Sequence, residues 1–477
     1  MSEFLPHITI LATVNAVLIA VFIPWVLRTK KESTAALAWC LVVLLMPLFG
    51  SFLFWQFGYN YVARRLRARR RHNSAFDRAH PPLTSEAKRG TRADASEDEL
   101  TSLALEVGAF PVSRGNTVTL YHDTNKAYTA MLDAIRAAVH HVHLEFFILR
   151  NDDASQTLLA LLTEKAKQGV EVRLLVDSMG AHSLRWKLLR PLLDAKGRAA
   201  RFLPLNPLQS WFHFNLRNHR KIVVVDGRTA FTGGMNVGDE YLGRSKFFGY
   251  WRDNFLRVLG PAAAGLQRIF TEDWDFATCE PLNGPAYFPA PTVTGEDVLQ
   301  VVASGPDQTI NATRTLFFAA ILHARKRVRL ASPYFIPDAG LLDALRLARL
   351  RGVEVELLCL MRPDHFLSFH ATRYHWSDML ESGVKIYEYA RGMMHSKVLL
   401  IDERWAMTGS ANFDNRSLRL NFEAGCVLHS AHLIAEMNAA FDADILDSRP
   451  LDPKAFARRS FRQRFAENAC RLLSPIL

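Results

Sequence analysis

The chain opens on two long apolar runs. Ile8–Leu27 and Thr34–Phe57 contain no charged residue. Each is long enough to cross a hydrocarbon core of roughly 30 Å at about 1.5 Å per helical residue. Only the polar turn Arg28-Thr-Lys-Lys-Glu-Ser33 separates them. Trp25, Trp39, Trp55, Tyr59 and Tyr61 stand near the ends of the runs, where amphipathic rings favour a membrane interface. A cleaved signal peptide fits poorly, because no basic segment precedes Ile8 and a second apolar run follows at once. A pair of buried soluble helices would carry a polar stripe, which neither run has. The pattern predicts a transmembrane α-hairpin within residues 1–60. Six arginines (Arg64, Arg65, Arg67, Arg69, Arg70, Arg71) follow it and outweigh Arg28, Lys30 and Lys31 in the turn. That asymmetry places both ends on the cytoplasmic side and offers a site to anionic headgroups. Residues 61–115 read as a basic, polar linker.

The pattern then changes to short apolar runs alternating with helical stretches, and it repeats. Gly169-Val-Glu-Val-Arg-Leu-Leu-Val-Asp177 resembles Gly352-Val-Glu-Val-Glu-Leu-Leu-Cys-Leu360. Each follows a helical stretch that ends near its glycine, a C-cap signal. Val142–Ile148 parallels Val328–Tyr334 upstream. Continuous apolar strands between helices predict buried mixed or parallel sheets in two tandem α/β units. The Pro- and Gly-rich stretch Pro281–Asp297 marks their boundary, giving units over 116–285 and 286–477.

Polar residues repeat with the frame. His219-Arg-Lys221 leads to Asp226 and to Gly233-Gly-Met-Asn236. His395-Ser-Lys397 leads to Asp402 and to Gly409-Ser410-Ala-Asn412, at the same spacing. His and Lys two apart at a strand's start project to one side. A return strand carries Asn236 back towards His219. Imidazole can serve as nucleophile or acid near neutrality, and lysine as a compact cation for phosphate oxygens. Two His, two Lys and two Asn at one pseudo-two-fold locus suit a phosphoryl transition state. Asp226 and Asp402 complete the motif, but their position at a turn points to fixing the loop. With no acidic cluster nearby, no metal and no cofactor are expected, the lysines supplying the charge. Asn236, Ser410 and Asn412 are expected to bind phosphate or to orient groups at the site; Ser410 has Gly234 as its counterpart, so the two halves are not equivalent.

The double HxKxxxxD pattern followed by G-[GS]-x-N resembles the phospholipase D superfamily. Gly249-Tyr-Trp-Arg-Asp253, Ser332-Pro-Tyr-Phe-Ile-Pro337, Asn421-Phe-Glu423 and the N-terminal hairpin look like bacterial cardiolipin synthases. The resemblance implies two phospholipase D-like α/β sandwich units sharing one site. It implies a ping-pong transfer: His219 attacks phosphatidylglycerol, forming a phosphatidyl-histidine. His395 protonates the departing glycerol, then activates a second phosphatidylglycerol, giving cardiolipin at the cytoplasmic face of a bacterial inner membrane. An acidic residue some thirty positions after each His would orient it, pairing Asp253 with His219 and Glu423 with His395. Phospholipid hydrolysis and nuclease action are the same-fold alternatives, and a degenerate scaffold the non-enzymatic one.

Composition narrows these. Lys and Arg number 58 against 47 Asp and Glu, a net charge of +11. Most of the excess lies before residue 96, so the body is nearly neutral and nucleic acid, whose binding is largely electrostatic, is not an expected partner. Phosphatidylglycerol and anionic membrane lipids are. The five scattered cysteines form neither a disulfide framework nor a zinc motif. His140, His141 and His143 run into a buried strand and read as structural. Glu145 and Asp177 could line a cleft or satisfy backbone. Trp211-Phe-His-Phe214 could be a lipid-entry rim or core. Residues 454–477 form a basic helical pattern with Phe461, Phe465 and Leu472 on one side, which suits either a membrane surface or packing on the body.

Overall fold

Pro47 decides the shape of the N-terminal region. In the computed structural model the first run forms the helix Leu5–Thr29. The second run is not one helix. It stops at Leu45, Met46 leaves helical geometry (φ −137°, ψ 70°), and Pro47 starts a new helix, Pro47–Leu53, followed by a wider turn over Phe54–Gly58. Proline lacks the N–H that would continue the ladder and is pre-set for a first helical turn. The expectation of a second continuous span over 34–57 is corrected accordingly. Ile10–Thr29 is the one helix among the described residues long and apolar enough to cross a membrane. Ser33–Leu45, at about 1.5 Å per residue, covers only about 20 Å. Buried Val26, Val43 and Phe54 hold these helices together, with Trp25 and Trp39 edge-on to Phe54 at 5.8 and 5.4 Å. Val14, Val17, Val21, Leu37, Leu41 and Leu44 point outward.

The structure describes residues 5–30, 33–58, 99–204, 215–475 and 477. Lys31 and Glu32, Tyr59 and Tyr61, the arginines of 64–71, the linker as far as 98 and Trp211–Phe214 lie outside the described residues. Of the described residues, 5–30 and 33–58 belong to one unit, and 99–204, 215–475 and 477 to the other.

In the larger unit the repeat becomes geometry. The first copy supplies β1 (Ser113–Asp123), β2 (His141–Phe146), β3 (Glu171–Asp177), β4 (Arg198–Phe202), β5 (Arg217–Asn218), β6 (Ile222–Val225), β7 (Thr229–Gly233) and β8 (Tyr250–Leu259). The second supplies β9 (Asp297–Ser304), β10 (Arg327–Ala331), β11 (Phe335–Ile336), β12 (Glu354–Leu360), β13 (Lys385–Tyr389), β14 (Gly392–Met394), β15 (Val398–Ile401), β16 (Trp405–Gly409), β17 (Phe413–Asp414), β18 (Asn421–Leu428) and β19 (Ser448–Pro450). One sheet runs β4-β3-β2-β6-β7-β8-β1. The other runs β13-β12-β10-β15-β16-β18-β9. Each is parallel across its first three strands and antiparallel thereafter. β1 and β9 pair antiparallel and join the two sheets. β19 extends the second beyond β13, and β11 pairs with β17 apart from it.

The two-residue period of a strand sorts the core. Ile222 and Val224 point into a central layer with Leu400, Leu299 and Cys426 of the other sheet and the helices Ala263–Thr278 and Ala431–Leu446. Val223 and Val225 point outward under the helices Thr124–Arg136 and Asp153–Lys167. Leu399 and Ile401 do the same under Ala312–His323 and Ala339–Leu350. Gly169 and Gly352, at φ +90° and +84°, end the helix before β3 and the helix before β12 as expected.

The turns after β6 and β15 explain the motif aspartates. Asp226 and Gly227 both take positive φ, as do Asp402 and Glu403. Asp226 accepts the N–H groups of Val139, His140 and His141 at 2.8–2.9 Å. Asp402 accepts those of Arg325, Lys326 and Arg327 at 2.7 Å. Each ties a turn to the start of the neighbouring strand, at the opposite end of a four-residue strand from its histidine. Asp226 and Asp402, which the motif puts with the catalytic residues, are thus engaged with backbone amides away from the histidines. Asp226→Ala and Asp402→Ala should each cost about 2 kcal/mol of stability through the lost charge-assisted bonds. Thermal unfolding should report that loss while the rate per folded molecule stays at the wild-type level. A fall in kcat with an unchanged Tm would return the aspartates to the chemistry.

Candidate active site

Two short strands bring the histidines together, and they do so across the repeat. β5, just before His219, pairs in parallel with the start of β18, Arg217 with Asn421 and Asn218 with Phe422. β14, just before His395, pairs in parallel with the start of β8, Gly392 with Tyr250 and Met394 with Arg252. The ladders extend by one bond each: the His219 N–H donates to the Phe422 carbonyl at 2.9 Å, and the His395 N–H to the Arg252 carbonyl at 2.7 Å. The next residues of β18 and β8 are Glu423 and Asp253. The His219 Nδ1 therefore lies 3.0 Å from both Glu423 carboxylate oxygens, and the His395 Nδ1 2.6 Å from Asp253 Oδ2. Chain spacing paired each acid with the histidine of its own copy. The structure reverses that pairing: Glu423 serves His219 and Asp253 serves His395.

Both carboxylates are buried. Burial alone would raise Glu423, but His219, Lys221 and the Ser410 hydroxyl outweigh it and hold the group as an anion. The same balance, struck with Lys397 and His395, lowers Asp253. Burial lowers both imidazoles, with the nearby lysines adding to it. A neutral ring that donates Nδ1–H to its carboxylate keeps a lone pair on Nε2.

His219, His395, Asn236 and Asn412 line one cavity of about 280 Å³, together with Phe147, Trp251, Tyr241 and Tyr334. Phe147 stands edge-on to His219 at 4.8 Å, and Trp251 lies 5.2 Å from His395. The lysines sit one layer deeper. Lys221 Nζ donates to the His219 carbonyl at 2.6 Å, and Lys397 Nζ to the His395 carbonyl. Burial lowers Lys221 to about 7 and Lys397 to about 8. The Asn236 amide oxygen accepts the Ile148 N–H at 3.1 Å, and the buried amide oxygen of Asn412 has no protein partner.

Ser410 does not face the cavity as a phosphate donor. Its hydroxyl donates to Glu423 Oε2 and accepts the Ala424 N–H, so it positions the carboxylate. At the matching Gly234 an added Cβ would lie 2.1 Å from Asp253 Oδ1, so only glycine leaves room there. Asp177 accepts the Met179, Gly180 and Asn218 N–H groups at 2.9–3.0 Å and holds the strand before His219. Glu145 accepts from the Asn218 amide. Burial and the neighbouring Asp273 push its pKa well up. His143 stacks on Phe270 at 4.5 Å and bonds Gln267, in keeping with a structural role. Among the described residues no group of three His, Cys, Asp or Glu could hold a metal.

Sequence reasoning gave no role to several cavity residues. Tyr334 donates to Asp364, and Arg150 is paired with Glu240 at 2.7 Å. Tyr334 and Trp251 lie inside the two motifs Ser332–Pro337 and Gly249–Asp253, which was the available signal.

The family described as "Cardiolipin synthase, PLD-like domain" matches residues 131–274 and 317–445. The cardiolipin synthase of Geobacillus kaustophilus is 38% identical over 96% of this chain and 92% of its own length. Cardiolipin synthase 2 of Bacillus anthracis is 37% identical over 98% of this chain and 90% of its own length. In structure, the phosphatidylserine synthase of Haemophilus influenzae superposes with a TM-score of 0.58 at 16% identity, covering 80% of this chain and all of that one. That likeness concerns the fold.

Two expectations follow. Glu423→Gln should shift the His219 ring nitrogens in a ¹⁵N spectrum and leave those of His395 in place, with Asp253→Asn doing the converse; the opposite pattern would restore the pairing by chain spacing. Raising pH should remove the lysine charges as it passes about 7 to 8, so kcat/KM should fall on an alkaline limb in that range. A plateau reaching pH 10 would show that the lysines titrate as exposed ones do.

Proposed function

This chain belongs to the cardiolipin synthase family of phospholipase D-like enzymes, and we propose that it joins two phosphatidylglycerol molecules into cardiolipin with release of glycerol. One observation carries the reading: two imidazoles, each with Nδ1 held by a buried carboxylate, share one cavity.

The steps follow from that geometry. The His219 Nε2 lone pair attacks the phosphorus of the first lipid, and the bond from phosphorus to the headgroup glycerol oxygen breaks. His395, protonated, gives its Nε2 proton to that oxygen, and glycerol leaves. The added negative charge of the phosphodiester favours that protonation, and Asp253 steadies the imidazolium. A primary hydroxyl of the second lipid then loses its proton to His395 and attacks phosphorus, freeing His219. Lys221 and Lys397 would offset the charge of both transition states, and the Asn236 and Asn412 amides, which line the cavity, would bind their oxygens. His219 as the nucleophile follows the family's habit, supported by the burial that keeps its ring neutral.

The apolar outward face of Ile10–Thr29 supports membrane anchoring. A hairpin whose second limb is the broken pair Ser33–Leu45 and Pro47–Leu53, with the catalytic unit on the cytoplasmic side of a bacterial inner membrane and two α/β sandwich units over 116–285 and 286–477, completes the proposal.

Thin-layer chromatography of the purified protein with phosphatidylglycerol should show cardiolipin, and EDTA should leave the rate unchanged. Phosphatidic acid alone would make it a hydrolase, and loss on chelation restored by magnesium would refute lysine as the source of charge. His219→Ala and His395→Ala should each reduce cardiolipin to background, half the wild-type rate in either being incompatible with a shared site. A phosphatidyl adduct should accumulate on His219 in His395→Ala; an adduct on His395 would exchange the roles.

A further inference from the structure

The C-terminal helix Phe461–Arg471 docks on the body with the wrong face for a soluble protein. Its inward side is polar and ionic. Glu467 is buried between Arg459 at 2.9 Å and Arg373 at 3.2 Å, and Cys470 is buried near Ala371 and Ile336. Arg471 reaches the Tyr374 hydroxyl at 2.6 Å. A capping box of Ser460 and Gln463 fixes the start of the helix. At about 100° per residue, Phe461, Phe465 and Leu472 fall together on the side opposite Glu467 and Cys470. They are 80%, 64% and 73% exposed, with the two rings stacked at 6.3 Å. Within the helix the exposed Arg462 borders this apolar strip on one side and the exposed Arg464 on the other. Of the two sequence readings of this tail, packing on the body occurs, yet the packing leaves the apolar strip uncovered.

Further exposed apolar side chains stand next to residues that line the cavity. The helix Phe366–Glu381 packs against the C-terminal helix: Cys470 lies by Ala371, Arg373 reaches Glu467 and Arg471 reaches Tyr374. At its start, His365 and Ser368 line the cavity while Phe366 and Leu367 between them are exposed. Across the mouth Phe248 lines the cavity and its neighbour Phe247 is exposed. Leu477, which follows the exposed Leu472 and Leu473, is a cavity residue as well.

We propose that Phe461, Phe465 and Leu472, with Phe366, Leu367 and Phe247 at the cavity rim, form a docking surface that seats the cavity mouth on an anionic lipid bilayer. Aromatic and aliphatic side chains flanked by arginines match the acyl–headgroup boundary of such a surface. The occupant is identified by charge: the arginines border the strip on both sides, where lipid phosphates lie when the rings insert. Docking brings a lipid headgroup to the histidines without exposing its acyl chains to water. The proposal rests on the phosphatidyltransferase reading for its purpose, but not for its test.

Hydrogen–deuterium exchange on the full-length protein supplies a readout independent of catalysis. In nanodiscs of phosphatidylglycerol, peptides covering 456–475 and 363–370 should exchange several-fold more slowly than in nanodiscs of phosphatidylcholine. Equal exchange in the two would overturn the proposal. Protection that grows with protein concentration in detergent would assign the face to a second copy and overturn it too. The triple variant Phe461→Ser, Phe465→Ser, Leu472→Ser should lose the protection. It should also lose at least tenfold in kcat/KM on bilayer phosphatidylglycerol while keeping the wild-type value on monomeric dihexanoyl phosphatidylglycerol. Equal loss on both substrates, or on neither, would refute docking. If the wild type makes no cardiolipin from either substrate, the proposed function fails, and the exchange comparison still decides the surface.

Discussion

The structure turns on two short parallel ladders, β5 with β18 and β14 with β8. Each is only two or three residues long, yet each carries a histidine of one copy onto the carboxylate of the other. Backbone pairing is a stiff way to do this. Once Arg217 faces Asn421, the residue after Phe422 must lie beside the His219 ring, and its identity as Glu423 sets the ring's tautomer. The same holds for Met394, Arg252 and Asp253. Everything chemical in the site, from neutral imidazoles to lysines close to neutrality, follows from placing these groups together out of water.

That placement has an energetic side. An isolated buried ammonium or carboxylate would shed its charge rather than stay ionised. Here opposite charges are interleaved: Glu423 and Asp253 stand among Lys221, Lys397 and the two imidazoles, and their mutual attraction offsets part of the desolvation. The offset is incomplete, which is why the lysines hold their protons loosely. With both imidazoles neutral, two lysines and two carboxylates balance. A phosphodiester entering the cavity adds a negative charge, which strengthens the hold of the lysines on their protons and favours a protonated imidazole beside it.

Much of this was legible along the chain. The repeat offsets located the sheets, the strand-turn-strand geometry after each histidine, and the glycine C-caps at Gly169 and Gly352. The equal spacing of His, Lys and Asn marked the site. The crossed carboxylates were not legible, because chain distance between His219 and Asp253 says nothing about which strand start lies beside which ring. Ser410 was legible in part: a hydroxyl in the motif points to a phosphate or to a group it orients, and the group it meets, Glu423, becomes adjacent only when β16 and β18 pair. Pro47 stands inside the second apolar run, where lack of charge speaks for one span and the proline for a break in the helix. At the C-terminus the amphipathic pattern was plain. Which face the body takes depended on Glu467 finding Arg373 and Arg459, three residues far apart in sequence.

The crossed arrangement also bears on how such a chain could have arisen. A single copy of the repeat holds a histidine whose carboxylate lies elsewhere and a carboxylate whose histidine lies elsewhere. Alone it would be doubly incomplete, and two identical copies facing each other about a two-fold axis would complete both sites at once. Joining the copies in one polypeptide keeps the axis but lifts the demand that its two sides be identical. Gly234 against Ser410 and Trp251 against Asn421 are differences that a symmetric pair could not carry. They leave the two histidines free to differ in role.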